Sequence, residues 1–492
     1  MTNKSELKRG LNLLDSTAIV IGSMIGSGIF IVSGDIARTV GSPGWLLIAW
    51  IISGIITMTA ALSYGELAAM MPHAGGQYIY LREAYGKLPA FLYGWTLFTV
   101  IQSGTIAAVS IAFAKFTGVI FPLISSSNWI YKIGALGKYH LGLNTENLLA
   151  IFSIVFLTWI NTRGLEGGKW IQNVFTLTKV IALLGLIIFG IAIGKNAEVI
   201  NHNLQNFWTA SWTHVMAGGV SVEPLKGLAI LGALGAAMVG SLFSSIAWDT
   251  VTYTAGETIN PKKNIPLSLA LGTGTVILLY ILINVVYLLV LPLDGTYGGN
   301  DIFSRGIQFA SNDRVGTAVV EMIFGGSGAI IMALLIMIST FGCNNGIILS
   351  TARVYYAMAK DGLFFKKAEE VNEHSVPGYA LLMQCIWSCL LCVSGTYSEL
   401  LDYVIFAVLF FYVLTIIGLF ILRRKRPDAE RPYKAFGYPV IPALYILFAL
   451  AISIDLLIYK PLYTWPGFVI VLLGIPVYYL WKNLGCNKDH KD

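Results

Sequence analysis

The first membrane-length apolar segment of this chain is interrupted in its middle by Gly26-Ser27-Gly28, inside Gly22 to Phe30 (GSMIGSGIF). A helix in hydrocarbon must satisfy its backbone N–H and C=O groups internally, so helix-weakening residues are tolerated there only where they are buried or line a cavity. The sixth apolar segment carries a comparable weak point, Ser241 to Asp249 (SLFSSIAWD), where three serines and an aspartate interrupt an apolar run. Two interrupted segments five spans apart are the pattern of an inverted-repeat architecture in which a ligand sits between two broken helices.

The residues are 56% hydrophobic and 12% charged, with a mean hydropathy of +0.72. Soluble domains average about 25% charged, so this composition excludes an ordinary soluble fold. About twelve stretches reach the roughly 20 apolar residues that a spanning helix needs. They lie near 15 to 40, 45 to 70, 91 to 121, 147 to 163, 170 to 194, 228 to 255, 266 to 292, 328 to 358, 378 to 396, 400 to 422, 438 to 459 and 465 to 483. The expectation is an all-α polytopic membrane protein.

With the N-terminus inside, the cytoplasmic loops collect Lys8, Arg9, Arg82, Lys87, Lys262, Lys263, Lys366, Lys367 and the run Arg423 to Arg426. Positive residues near span ends are retained on the cytoplasmic side, so both termini are expected there. The net charge of +6 is therefore a topogenic signal and not a nucleic-acid footprint. The opening stretch, Met1 to Arg9, lacks the apolar core and cleavage site of a secretory signal, so the first span is expected to be retained. Cys343, Cys385, Cys389 and Cys392 fall within spans and Cys486 follows the last one, so no disulfide is expected.

The longest connections are 121–147, 195–227 and 292–316. Phe207, Trp208 and Trp212 in the second suit a helix lying at the membrane interface as an external cap. Met71 to Gly86 (MPHAGGQYIYLREAYG) is too polar to span, and a turn followed by a short amphipathic helix with Arg82 and Glu83 fits it.

At the first break, Ile25, Gly26, Ser27 and Gly28 would present backbone N–H groups, and the following half-helix would aim its positive end at an anion. A carboxylate is the natural guest. The alternative is close packing, since Gly22 and Gly26 also form a small-xxx-small pair. At the second break, Phe243, Ser244, Ser245, Ile246, Ala247 and Trp248 combine backbone carbonyls able to accept an ammonium with two aromatics able to close over it. Asp249 is costly against lipid and must face water, a partner or the break.

Lys179 lies near the middle of the fifth span, where an uncompensated charge costs on the order of 3 kcal/mol or more. It is suited to hold the carbonyls of a broken helix in place of a metal cation, and the alternative is a structural pair with Asp249 or Glu66. Ser339 to Asn345 (STFGCNN) puts Cys343, Asn344 and Asn345 at mid-depth, where they would line the cavity and satisfy Lys179, or else bond between helices without touching substrate. Cys385, Cys389 and Cys392 share a helix face, but residues at that spacing usually just pack and no histidine joins them, so no metal site is expected. Gly164 to Lys169 (GLEGGK) lacks phosphate-loop spacing and follows no strand. No cofactor, catalytic constellation or channel-like polar stripe is found.

These motifs resemble the amino acid-polyamine-organocation superfamily, and within it the L-type amino acid transporter group with its bacterial relatives. The likeness rests on Gly22 to Phe30, Tyr64 to Leu81 (YGELAAMMPHAGGQYIYL), Asn260 to Pro266 (NPKKNIP), Leu349 to Gly362 (LSTARVYYAMAKDG) and Phe410 to Pro442, with LRRKRP and RPYKAFGYP. It implies a five-plus-five inverted repeat with two extra C-terminal helices, helices 1 and 6 being unwound at mid-membrane. It implies that Ile25 to Gly28 take the substrate carboxylate, Phe243 to Trp248 the amine and gate, and that Lys179 replaces the cation of sodium-coupled relatives. Ile246 and Asp249 depart from the family, where many L-type members have a more polar residue and an asparagine. Animal members pair with a heavy chain through a cysteine in the loop after the third span. The corresponding stretch 121–147 has none, so a stand-alone transporter is expected.

The divisions expected are 1–194 for the first repeat, 195–227 for the external loop, 228–423 for the second repeat and 424–492 for the last two helices. The expected activity is sodium-independent exchange of neutral L-amino acids across the plasma membrane by alternating access. Neutral preference follows from Gln102 being the most polar group in the middle of the third span. A proton-coupled symporter or a cationic amino acid or polyamine permease of the same superfamily is the alternative.

Overall fold

A computed structural model describes residues 7–136, 139–216, 219–394, 397–459 and 461–483. Cys486 and the first six residues of the opening polar stretch lie outside the described residues. Helices α1 (Leu13–Met24) and α2 (Gly28–Val40) meet at a 42° bend and are followed by α3 (Pro43–Met70) and the short α4 (Gln77–Tyr85). α5 (Lys87–Thr96) and α6 (Gln102–Ile120) continue one another through a π-helical turn, Leu97–Ile101. An antiparallel hairpin of β1 (Trp129–Leu136) and β2 (Tyr139–Asn144) leads to α7 (Thr145–Thr162) and α8 (Leu165–Phe189). Next come α9 (Ala197–Gln205), a second antiparallel hairpin of β3 (Ser211–Met216) and β4 (Gly219–Pro224), then α10 (Leu228–Ser244) and the single turn α11 (Thr250–Tyr253). The remainder is α12 (Pro261–Val290), α13 (Ile302–Arg305), α14 (Val315–Phe324), α15 (Gly328–Lys360), α16 (Gly378–Ser394), α17 (Tyr397–Lys425), α18 (Val440–Tyr459) and α19 (Pro461–Asn483).

Among the described residues, eight helices are long and apolar enough to cross a membrane, or nine if the bent pair α1 and α2 is one span. Their ends carry local signals. Asn12 and Asp15 form a reciprocal capping box at the start of α1, and Ser42 caps α3, whose first residue is Pro43. Gly41 ends α2 in the left-handed region at φ 58°, where a Cβ would stand 2.1 Å from Ser211 Oγ.

The fold is the expected bundle of helices, with a β-hairpin in the loop after α6 and another near the α2–α3 corner. One expectation is corrected. The helix of the 195–227 loop ends at Gln205, before its aromatics. Phe207 and Trp208 instead sit in a turn whose carbonyls bind the α2–α3 corner: Gly44 N and Ser42 Oγ donate to Phe207 O at 2.8 and 3.0 Å, and Trp45 Nε1 donates to Trp208 O at 3.3 Å. Trp212 stands on β3. A backbone turn that other groups can satisfy wins over continuing the helix, since Asn206 and Thr209 favour a turn.

The end of the bundle that bears Gly10 and Leu11 is crossed by ion pairs. Arg353 of α15 donates from Nε and Nη2 to Glu257 at 2.7 and 2.9 Å, both side chains being 1% exposed. The Glu257 carbonyl in turn accepts from Gly10 and Leu11 N at 2.8 and 3.0 Å, tying the lead into α1 to the segment after α11. Glu66 accepts from Arg423 and from Ala435 N, and Asp361 accepts from Arg82 and from Tyr78. Removing one partner of a fully buried pair strands the other charge, at about 3 to 5 kcal/mol, whereas an exposed pair contributes about 1 kcal/mol or less. Arg353→Ala should therefore melt well below wild type in detergent, while Lys262→Ala, which breaks the exposed Lys262–Glu430 contact, should not. Equal melting of the two variants would refute this assignment.

Candidate functional site

The α1 helix unwinds after Met24, and Ile25 is extended (φ −78°, ψ 92°). Unwinding leaves a run of carbonyls without helical partners, and each finds a donor. Lys179 Nζ donates to Gly22 O and Ile25 O, both at 2.8 Å, and to Ser339 O at 3.0 Å. Cys343 Sγ donates to Ser23 O at 3.0 Å. Tyr280 Oη lies 3.0 Å from both Met24 O and Ser244 O. Ser339 Oγ lies 3.0 Å from Ile25 O and 3.1 Å from Gly26 O. Five consecutive carbonyls, 22 to 26, are thus held by side chains of α8, α12 and α15. Lys179 is 2% exposed and its three ammonium hydrogens match three oxygens, the coordination a small cation would take.

Lys179 pairs with neither Asp249 nor Glu66. Glu66 is taken by arginines, and Asp249 accepts from Tyr253 Oη at 2.6 Å and Tyr412 Oη at 2.8 Å. The first break's glycines divide by role. A Cβ on Gly22 would lie 1.9 Å from Gln172 Nε2 and 2.3 Å from Thr176 Oγ1, so Gly22 permits close approach of α8. A Cβ on Gly28 would lie 2.2 Å from Ser244 Oγ, so Gly28 brings the two breaks together. At Gly26 a Cβ would meet only Cys343 Sγ, at 3.4 Å, so packing does not require glycine there. The α2 helix starts at Gly28 with Ser27 as its N-cap residue and no side-chain cap, leaving its first-turn N–H groups directed at the break.

The second break runs from Ser245 to Asp249. Ala247 stands at φ +69°, a left-handed conformation that a non-glycine residue adopts at a cost of order 1 kcal/mol or more. Ser244 and Ser245 turn their hydroxyls back onto Gly240 O and Ser241 O, so the polar character of this break lies in its backbone. Phe243 is half-buried and free of the tight aromatic stack around Trp248. Trp248, 1% exposed, packs edge-on to Tyr64 at 4.8 Å and beside Tyr412 at 5.0 Å. A narrow cavity between Ile246, Ala247 and Asp249 on one side and Gln102, Gln77 and Phe411 on the other adjoins this break. The π-helical turn of Leu97–Ile101 sits at its edge and sets the angle at which Gln102 enters.

The asparagines expected to line the cavity and satisfy Lys179 do neither. Asn344 donates to Ser110 Oγ at 2.6 Å. Asn345 donates to Gly168 O at 2.9 Å and accepts from Asn161 at 2.9 Å, between α7 and α8. On α15 residues 339 and 343 share the face toward the break, and 344 and 345 rotate away by about 100° each. Tyr253, Tyr280 and Tyr412 were missed by sequence reasoning. Nothing in pattern or spacing separates them from the other tyrosines among the chain's 24.

Two broken helices meet face to face, with an ammonium on the carbonyls of the first, and the comparison with known families extends over nearly the whole chain. Residues 11–478 match the amino acid permease family. The chain belongs to the amino acid permease family. The permease is similar to the b(0,+)-type amino acid transporter 1 of Mus musculus, at 28% identity over 97% of this chain and 88% of that one. It is similar to the large neutral amino acids transporter small subunit 2 of Homo sapiens, at 29% identity over 97% of this chain and 82% of that one. It is also similar to the serine/threonine exchanger SteT of Bacillus subtilis (strain 168), at 28% identity over 98% and 99%. The permease is thus an amino acid transporter and not an enzyme.

Lys179→Ala should reduce transport to background while the protein still inserts, because three carbonyls lose the ammonium and only Ile25 O keeps a side-chain donor, Ser339 Oγ, at about 1 to 3 kcal/mol for each left unsatisfied. Uptake into proteoliposomes normalised to protein content measures it. Gly22→Ala and Gly26→Ala separate packing from function: the first should lower the melting temperature in detergent, and the second should leave melting close to wild type but impair transport. The reverse ranking would overturn the division of roles.

Proposed function

We propose that this permease is a sodium-independent exchanger of neutral L-amino acids that works by alternating access. The observation that carries this reading is the Lys179 ammonium lodged on the carbonyls of Gly22, Ile25 and Ser339, since a fixed cation there leaves no work for a coupling sodium ion. The uncapped start of α2 at Gly28 suits a substrate carboxylate, and the carbonyl end of α10 around Phe243 to Ile246 suits its ammonium. Gln102 and Thr105, and no carboxylate, are the polar groups that α6 brings to the adjoining cavity, which favours a neutral substrate side chain. The names of the relatives, a neutral amino acid transporter and a serine/threonine exchanger, agree with this reading.

The nine spans together with the shorter apolar helices Leu228–Ser244, Gly378–Val393 and Gly467–Lys482 make twelve. In that count the broken helices are the first and sixth, which suits a five-plus-five inverted repeat over residues 1–194 and 228–423, with 195–227 as an external cap and 424–492 as two added helices. The family suits a plasma-membrane protein, and the basic loops favour both termini on the cytoplasmic side. The absence of cysteine in 121–147 favours a transporter without a disulfide-linked heavy chain.

Proteoliposomes loaded with unlabelled leucine, alanine or serine should take up the labelled amino acid faster than empty vesicles, equally in sodium and choline buffer, and arginine should not compete. Accumulation into empty vesicles driven by sodium would sink the reading, and arginine as the better substrate would sink its neutral preference.

A further inference from the structure

Asp249 is a carboxylate without a cation. It is 2% exposed, and the groups that donate to it are the hydroxyls of Tyr253 at 2.6 Å and Tyr412 at 2.8 Å. Tyr253 Oη lies in turn 2.8 Å from Tyr93 Oη, so a chain of hydroxyls runs from the second break to α5. The titratable groups that surround it are Tyr64, Tyr80, Tyr93, Tyr253, Tyr412 and Tyr445, from α3, α4, α5, α11, α17 and α18. On the elements that pack against α11, the other buried charged groups and Tyr280 are committed elsewhere. Arg353 binds Glu257, Asp15 binds Asn12 and Asn173, and Tyr280 binds the carbonyls of Met24 and Ser244. Lys179 is held at the first break. Among the described residues no lysine, arginine or histidine forms an ion pair with Asp249.

An ionised carboxylate buried in this way costs several kcal/mol even after relaxation, and two neutral hydroxyls recover only part of it. A neutral carboxyl keeps the same contacts, because a tyrosine oxygen both donates and accepts. The residue also stands where motion must occur. It joins the break of α10 to the short α11, directly after the strained Ala247, and its side chain lines the cavity beside Gln102.

We propose, building on the exchanger reading, that Asp249 is a proton-binding site: the carboxyl must take up a proton from solvent water before the second break closes, and returns it to water when the break opens. Substrate exchange is then gated by protons, because both legs of the cycle pass through the closed state.

The test is exchange of labelled leucine, alanine or serine in loaded proteoliposomes, at equal pH inside and outside, over roughly pH 5 to 8. Wild-type exchange should rise as pH falls, by up to about tenfold per pH unit above its midpoint. Whatever rate Asp249→Asn retains should be flat with pH. Tyr412→Phe and Tyr253→Phe should move the wild-type midpoint to higher pH, because each removes a hydroxyl that favours the ionised form. These tyrosine variants keep the test open if Asp249→Asn is inactive. A wild-type profile that is flat, or an Asp249→Asn profile that still follows pH, would overturn the proposal. Exchange that falls as pH drops would overturn it too, and would make Asp249 the ionised partner of the substrate ammonium. Absence of exchange at every pH would instead overturn the exchanger reading beneath it.

Discussion

One buried ammonium makes the first helix break possible. Unwinding a helix inside an apolar bundle exposes carbonyls that water cannot reach, each at a cost comparable to a lost hydrogen bond. Lys179 answers two of those carbonyls on α1 and ties them to a third on α15. Ser339, Cys343 and Tyr280 answer the rest. The charge and the break therefore justify each other: the lysine would be prohibitive without the carbonyls, and the carbonyls would be orphaned without the lysine.

The second break is built differently. No cation reaches it, its serines fold back onto their own helix, and it is closed by Thr250 and Thr252 bonding to Ala247 O and Asp249 O. Its surroundings are chiefly aromatic hydroxyls and rings, where the first break's are an amine, a thiol and the hydroxyls of Ser339 and Tyr280. The contrast suits a division of labour in which α1 is fixed against α8 and α15 while the segment after α10 can reorganise. The buried pair of Arg353 with Glu257 anchors to α15 the stretch that follows α11.

Much of this was legible in the chain. Glycines and serines in hydrocarbon mark a break on thermodynamic grounds, and a mid-span lysine needs oxygen partners, so Gly26 to Gly28, a weak point within Ser241 to Asp249 and Lys179 stand out in the chain alone. Which oxygens Lys179 takes was not legible, because the candidates Asp249, Glu66 and the backbone are distinguished only by where α8 packs. The same limit misplaced Asn344 and Asn345. They adjoin Cys343 in sequence, yet the helical rotation carries them to other neighbours. The aromatic cluster at 207–212 has a composition that suits an interfacial helix, but its ring contacts are made by a turn and a strand.

By itself the sequence determined that the chain lives in a membrane, where its helices break and which residue is too costly to lack a partner, since each of these follows from the price of polar groups in hydrocarbon. Only the tertiary structure decided that Gly22 and Gly28 serve packing while Gly26 does not, that the tyrosines of α5, α11 and α17 converge on Asp249, and that Lys179 and Asp249 stand apart. Those outcomes depend on the approach and rotation of helices distant in the chain, which local pattern and spacing do not encode.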